Sequence, residues 1–350
     1  MTAIEAVYLV EAGPGLRDAQ RKLLCGDAPM IETSIGHRSI SKYADIPIIW
    51  CEDLRLVPKT PSASPFFVAH EFFDALPIHA FQSVPSSQQQ AALPRHPGAP
   101  PRVSSVPQWR ELVVSPTPPP SNLSISSVPP PTSSQPALIP EFELSLAKAS
   151  NPNSLVLPES SPRYRALKDT PGAVIEISPE SQSYAEELAR RIGGAATLDS
   201  PFSISTEVSG AALILDYGPA DTIPINSLRG IRSHSPCSPF ATPGQVDISA
   251  DVDFVALADA ALKASPNVEV HGPVEQGDWL QTMGIRERAG QLLSKLGPAD
   301  TEQRARIGGA WERLIERGGG GMGRIYKVMA IIPVSGGKRR PVGFGGSVNS

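Results

Sequence analysis

Cysteine is scarce in this sequence. Cys25, Cys51 and Cys237 are the only three in 350 residues, far apart, with neither a CxxC pair nor a histidine cluster beside them. That excludes a disulfide framework and a zinc site and points to a reducing compartment. Long apolar runs are missing too. None approaches the roughly 20 residues a membrane-spanning helix needs, so a soluble protein without a membrane span is expected. Excess positive charge is also lacking. The chain carries 31 Lys and Arg against 35 Asp and Glu, a net charge of -4. Its basic residues are scattered, so no field grips a phosphate backbone and nucleic acid is not an expected partner. The opening MTAIEAVYLVEAG has neither signal-peptide character nor the Arg-rich, acid-poor pattern of a mitochondrial presequence, and it enters a strand almost at once.

Proline and glycine, by contrast, are plentiful at 38 and 29 residues, which leaves less of the chain for packing than its length suggests. Fifteen of the prolines fall between residues 83 and 140, in stretches such as SPTPPPSNLSISSVPPPTSSQP that support neither ladders nor helices. The pattern predicts a disordered Pro/Ser-rich insertion over 83–140, interrupted by a short strand at 108–114 (QWRELVV). SGGKRRPVGFGGSVNS predicts a disordered tail over 335–350. The organisation read from this is 1–82, the insertion, 141–334 and the tail.

Elsewhere the periodicities alternate. Strand-like runs occupy 6–10, 46–50, 66–69, 211–215 and 328–332, and helical patterns occupy 16–24, 179–192, 285–296 and 301–317. Such alternation predicts an α/β sheet covered by helices. Ser178 and Pro179 stand where an N-cap and a first-turn proline belong. Ile307, Trp311, Leu314 and Ile315 form a stripe that reads as core packing.

Charge at strand ends marks candidate sites. Glu11 ends the run AVYLV before a Gly-Pro turn, at the edge where open α/β sheets bind ligands. It reads either as a carboxylate for ribose hydroxyls or as a solvated strand end. Glu11 to Gly15 resembles E-x-G-x-G, but Arg17 replaces the third glycine, so the segment reads as a second strand rather than a first. Asp74, three residues after Glu71, is either a site carboxylate or the cap of a helix beginning near Ala75. Asp53 is equally a site residue or a cap, and His79 reads as structural. The acidic set Asp247, Asp251 and Asp253 suits a basic peptide and does not match the D-x-D-x-D-G calcium loop, so no metal is expected.

Together, YLVEAGPGLRDAQ, FFVAHEFFDALPIHAFQ, QWREL, AALILDYG, LRGIRSH, TPGQVDISADVDF, GPVEQGDWLQTMGI and MGRIYKVMAIIP give the chain its resemblance to a known family. It resembles the MidA-related mitochondrial complex I assembly protein-arginine methyltransferases, in family order and over most of its length outside the insertion. The resemblance implies a seven-strand S-adenosylmethionine-dependent methyltransferase-like α/β sheet. Met1 begins too late to include the family's first strand and glycine-rich loop, so both are expected to be lacking. The family's usual Asn before the Glu of HEFFDALP is His70 here.

By resemblance, Glu11 would hold the cofactor ribose, Asp53 and Leu54 would lie near the adenine, and His70 would sit beside the transferred methyl. Glu71 is the first choice for orienting the substrate arginine and Asp74 the second, because carboxylates receive a guanidinium fork bidentately. Asp216, Arg229, Arg232 and His234 fall on the substrate side. The implied function is symmetric dimethylation of a protein arginine in complex I assembly. The expected partner is a complex I subunit, the location mitochondrial, and a homo-oligomer is possible. The alternative is a catalytically impaired assembly or scaffold protein that keeps only the partner surface.

Overall fold

The computed structural model describes residues 4–60, 62–88, 106–118, 141–194, 208–233, 235–337 and 340–345. The chain divides into two compact units, Met1–Pro65 with Thr197–Glu207, and Phe66–Ala196 with Val208–Ser350. Most of the expected insertion, 89–105 and 119–140, lies outside the described residues, as does His234.

In the first unit, β1 (Val7–Val10), β2 (Ile31–Thr33), β3 (Gly36–Ile40) and β4 (Pro47–Cys51) form one sheet in the order β1-β4-β3-β2. β1 lies parallel to β4; the other pairings are antiparallel. Helix α1 (Pro14–Cys25) opens with proline in its first turn, where a missing N–H costs nothing. Cys25, Ile48 and Trp50 form the core, with Leu9, Leu24, Ala28 and Met30 against them. Full burial of Trp50 still satisfies its indole N–H, which donates to Gln20 Oε1 at 2.9 Å.

The described residues of the second unit form three sheets. β5 (Phe66–His70) belongs to the first of these. The second is antiparallel, ordered β8-β7-β6-β9, and consists of β6 (His79–Val84), β7 (Gln108–Pro116), β8 (Phe142–Leu146) and β9 (Val174–Ile177). Its core is Phe81, Trp109, Tyr164, Ile175 and Ile177. β10 (Ala211–Tyr217) lies parallel to β5. β11 (Arg229–Arg232), β12 (Ser235–Cys237) and β13 (Asp247–Ser249) form the third sheet, with β11 central. β14 (Val268–Glu275) and β15 (Tyr326–Pro333) complete the first sheet, ordered β14-β15-β10-β5.

Short helices α2 (Pro152–Val156) and α3 (Pro162–Arg165) follow β8. α4 (Pro179–Gly193) starts at Ser178, whose hydroxyl accepts from Ser181 N–H at 3.2 Å. Its buried Ala185, Leu188, Ala189 and Ile192 pack on α5 (Phe254–Ala264) and β15. Burying such aliphatic side chains contributes about 1.5–3 kcal/mol each for the larger ones. α6 (Gln276–Thr282), α7 (Ile285–Ser294) and α8 (Thr301–Ile315) close the described helices.

The described strands form four sheets of three or four strands. Periodicity shows which segments are extended but not which edges pair, and here the pairing stops at β1 and at β5. No helix begins near Ala75: the segment is a turn, with Pro77 close behind. The Trp311 stripe is half-buried, none of α8 is fully buried, and the Trp311 ring lies under the Arg286 guanidinium at 5.9 Å. Within the expected tail, Phe344 lies 6.3 Å from the His271 ring, and Ser335 donates to Glu269 Oε1 at 2.9 Å.

Candidate functional site

The C-terminal ends of β5 and β10 lie side by side, and β15, running the other way, begins beside them. This juxtaposition gathers Glu71, Tyr217 and Tyr326. Glu71 donates its N–H to Leu215 O at 3.0 Å and then turns with φ of +48°, a left-handed conformation that a glutamate adopts only when its surroundings hold it.

What holds the turn is Asp216. It has no exposed surface, and its Oδ2 accepts from the N–H groups of Phe72 (3.1 Å), Phe73 (2.9 Å) and Asp74 (3.3 Å). Its Oδ1 accepts from Tyr217 N–H at 2.9 Å. Burial, aided by the nearby charge of Asp74, pushes the Asp216 carboxyl up to about 7 against the opposing pull of these donors. The following residue, Gly218, has φ of +151°, and a Cβ there would stand 2.4 Å from Val252 O, so the DYG turn admits only glycine.

The side chains then converge. The Tyr326 hydroxyl donates to Glu71 Oε1 and is hydrogen-bonded to the Tyr217 hydroxyl. The two phenol rings lie 4.0 Å apart, and the His70 ring stacks 6.3 Å from Tyr326. Burial, with the bonds to Glu71 and Tyr217, pushes Tyr326 far above the usual phenol range. Burial also raises Tyr217, so both phenols stay protonated.

Asp74 is 8% exposed, and its Oδ2 accepts from Ser249 Oγ at 2.8 Å. Burial raises its carboxyl, opposed by the Ser249 bond. Arg229 lies 5.0 Å over the Tyr217 ring and pairs with Asp251 at 2.5 Å. Two carboxylates, two phenols and a cation thus line one strand edge, an arrangement that can seat a planar cationic group and accept a proton from it.

The acidic set of the sequence does not form one cluster. Asp253 caps α5 and pairs with Arg163 at 2.9 Å, while Asp251 is committed to Arg229 and Asp247 is exposed. Among the described residues no group could hold a metal ion. His79 bonds Glu111 Oε1 at 2.6 Å, and Arg232 contacts Gln245 at 3.2 Å. Sequence reasoning missed Tyr326, Tyr217 and Ser249 as site members. Tyr217 stood inside the LDYG segment, but nothing in the pattern tied it to a tyrosine 109 positions later.

The first unit holds its own strand-end group. Glu11 follows β1, its Oε1 accepting from Gly13 N–H at 2.8 Å and its Oε2 from Gln20 at 3.2 Å. A carboxylate has about four acceptor positions; with two taken by these donors, Glu11 fits a pair of ribose hydroxyls. Asp53 fits adenine less well: it caps the short 3-10 turn Leu54–Leu56 by accepting from Arg55 N–H, and both its oxygens engage the Arg55 guanidinium. Leu54 is buried.

The sequence profile of the family described as "Putative S-adenosyl-L-methionine-dependent methyltransferase" matches residues 1–274. The chain belongs to this methyltransferase family. It is 27% identical over 336 residues to the mouse protein named "Protein arginine methyltransferase NDUFAF7, mitochondrial", covering 95% of this chain and 60% of the mouse protein. The human protein of that name is 28% identical over 302 residues, covering 85% of this chain and 53% of its own. The chain therefore spans little more than half the length of these relatives. A crystal structure of a Burkholderia thailandensis protein bound to S-adenosyl-homocysteine matches with a TM-score of 0.57 at 19% identity, covering 99% of this chain and 66% of the other. That likeness establishes the family's fold.

Proposed function

We propose that the chain is part of a protein-arginine methyltransferase, with Glu71 and Asp74 as the carboxylates that receive the substrate guanidinium. The observation that carries this reading is the Glu71 carboxylate held at the strand edge by Tyr326, beside the buried Asp74. The names of the mouse and human relatives support arginine as the acceptor and the mitochondrion as the location. The finer reading is symmetric dimethylation of a complex I subunit during its assembly, by a chain that self-associates.

S-adenosyl-L-methionine supplies an electrophilic sulfonium methyl. Glu11 would accept from its ribose hydroxyls, Asp53 and Leu54 would border the adenine, and His70 would stand beside the methyl. Glu71 and Asp74 would orient the guanidine nitrogen and take the proton it loses as it gains the methyl, the donor leaving as its thioether, which is chiefly positioning and electrostatics. Tyr326 keeps Glu71 in place. The proposed fold is a seven-strand S-adenosylmethionine-dependent methyltransferase-like sheet; in support, two parallel strand pairs, β1 with β4 and β5 with β10, occur among the described residues.

The test is methyl transfer from radiolabelled donor to arginine peptides. Glu71→Gln keeps the shape and removes the charge, and turnover should fall on the order of 100-fold with donor affinity by calorimetry unchanged. Unchanged turnover would pass the role to Asp74. Peptide binding without any transfer by the unsubstituted chain under saturating donor would favour the impaired assembly-partner reading.

A further inference from the structure

Asp74 also forms part of the wall of a second feature, an open cleft of about 620 Å³ between the β6–β8 strands and the β11–β13 sheet. This is within the range of ligand sites, roughly 300–1,000 Å³, and several times the volume of one arginine side chain. Its walls are apolar, with Val114 and Leu144 on one side and Phe240, Val246 and Ile248 on the other. Three of these stand in the open: Val114 is 58% exposed, Ile248 53% and Leu144 37%. A contiguous apolar surface left in water marks an interaction site.

Among the described residues, the only charged ones lining the cleft are Asp74 and Glu176, both buried. Glu176 is already committed, its carboxylate accepting from the Ser227 N–H and hydroxyl. Asp74 accepts from Ser249 through Oδ2, but of the two it is the one near Glu71, so it is the carboxylate placed to share a cation with Glu71. The backbone is suited to an extended guest: among the described residues, β8 pairs only with β7 and β13 only with β11. An incoming strand can add to such an edge while alternate side chains enter the cleft.

Resting on the arginine reading above, we infer that the cleft is the docking groove for the substrate polypeptide, and that it selects an extended segment whose arginine is flanked by apolar residues. The charge pattern decides against a basic or Gly/Arg-rich tail. Further cations along such a tail would lose water against Val114, Leu144 and Ile248 with no carboxylate to receive them, which is costly. An apolar flank loses nothing there and leaves one guanidinium for Asp74 and Glu71.

The experiment is fluorescence anisotropy of labelled eleven-residue peptides with the full chain, which needs no cofactor. The first peptide carries a central arginine flanked by Leu, Val and Phe, and the second carries the same arginine flanked by Gly and Ser. A third places citrulline, the neutral isostere, between the apolar flanks. The apolar-flanked arginine peptide should bind at least about tenfold more tightly than the Gly/Ser peptide, a difference of about 1.4 kcal/mol. Ile248→Asp should abolish that preference, whereas Ile31→Asp, on the comparably exposed β2 of the first unit, should not. Both positions are on the surface, and unchanged thermal unfolding verifies that each variant is folded.

Equal affinity for the two arginine peptides overturns the groove. Loss of the preference in Ile31→Asp as well overturns it in favour of general stickiness. A chain that sediments as a dimer, becomes monomeric with Ile248→Asp and shows no peptide preference overturns it in favour of a second copy. The citrulline peptide separates the two readings: if it binds as well as arginine while the flank preference persists, the groove stands and the arginine assignment falls.

Discussion

Four backbone N–H groups converge on the side chain of Asp216, and no water reaches it. Through them this residue sets the left-handed turn that carries Glu71 and Asp74, and so acts as a positioning residue. Its carboxyl is raised from an ordinary value near 3.8 to about 7. The folded state therefore holds the proton more tightly than the unfolded chain. That stabilising contribution is complete below about pH 4 and is lost as pH rises through about 7. Asp216→Asn exchanges one acceptor oxygen for a donor that faces other donors, so a loss of about 1–3 kcal/mol is expected. The pH slope between 4 and 7 should flatten with it. Melting temperatures of both proteins across that range check the two effects together; a variant with an unchanged slope would show that another group titrates.

At the scale of elements, β5 presents an unusual face: Phe66 and Val68, two apart and hence on one side of the strand, are 78% and 72% exposed. An apolar edge strand with a free side is a template for pairing with another chain. Val68→Lys should slow aggregation, followed by light scattering on heating, while leaving the unfolding midpoint nearly unchanged because little packing is removed. A large drop in that midpoint would mean the side chain is packed after all.

β5, β10, β15 and α4 were all legible from period and capping, since their apolar runs and the Ser-Pro start at 178–179 are local signals. The turn at 71–76 was not. Asp74 read as either a site carboxylate or a helix cap, but the N–H groups of residues 72–74 bond Asp216, which lies more than 140 positions away. β11, β12 and β13, at three or four residues each, were too short for alternation to register, and with them the groove escaped notice. Tyr326 was missed because it precedes the apolar run that announced its strand. Glu11 and Glu71 were readable for the opposite reason: each directly ends a strand-like run, where a charge is conspicuous.

For the whole molecule, the thiols offer a global probe. All three are free; Cys25 and Cys51 are buried, Cys237 is partly exposed, and burial raises the Cys51 thiol further from its reactive form. A thiol reagent should therefore titrate one group quickly in the native protein and the other two only when denaturant is added. Mass spectrometry should place the first label on Cys237. Rapid labelling of all three would mean that the first unit, which holds Cys25 and Cys51, opens readily.

The bond between Tyr326 and Glu71 joins residues 255 positions apart, with the tyrosine on the last described strand. Translation therefore finishes the acidic turn long before it makes the phenol that steadies it. A nascent chain stalled near residue 320 carries both carboxylates and Asp216 yet cannot assemble the site.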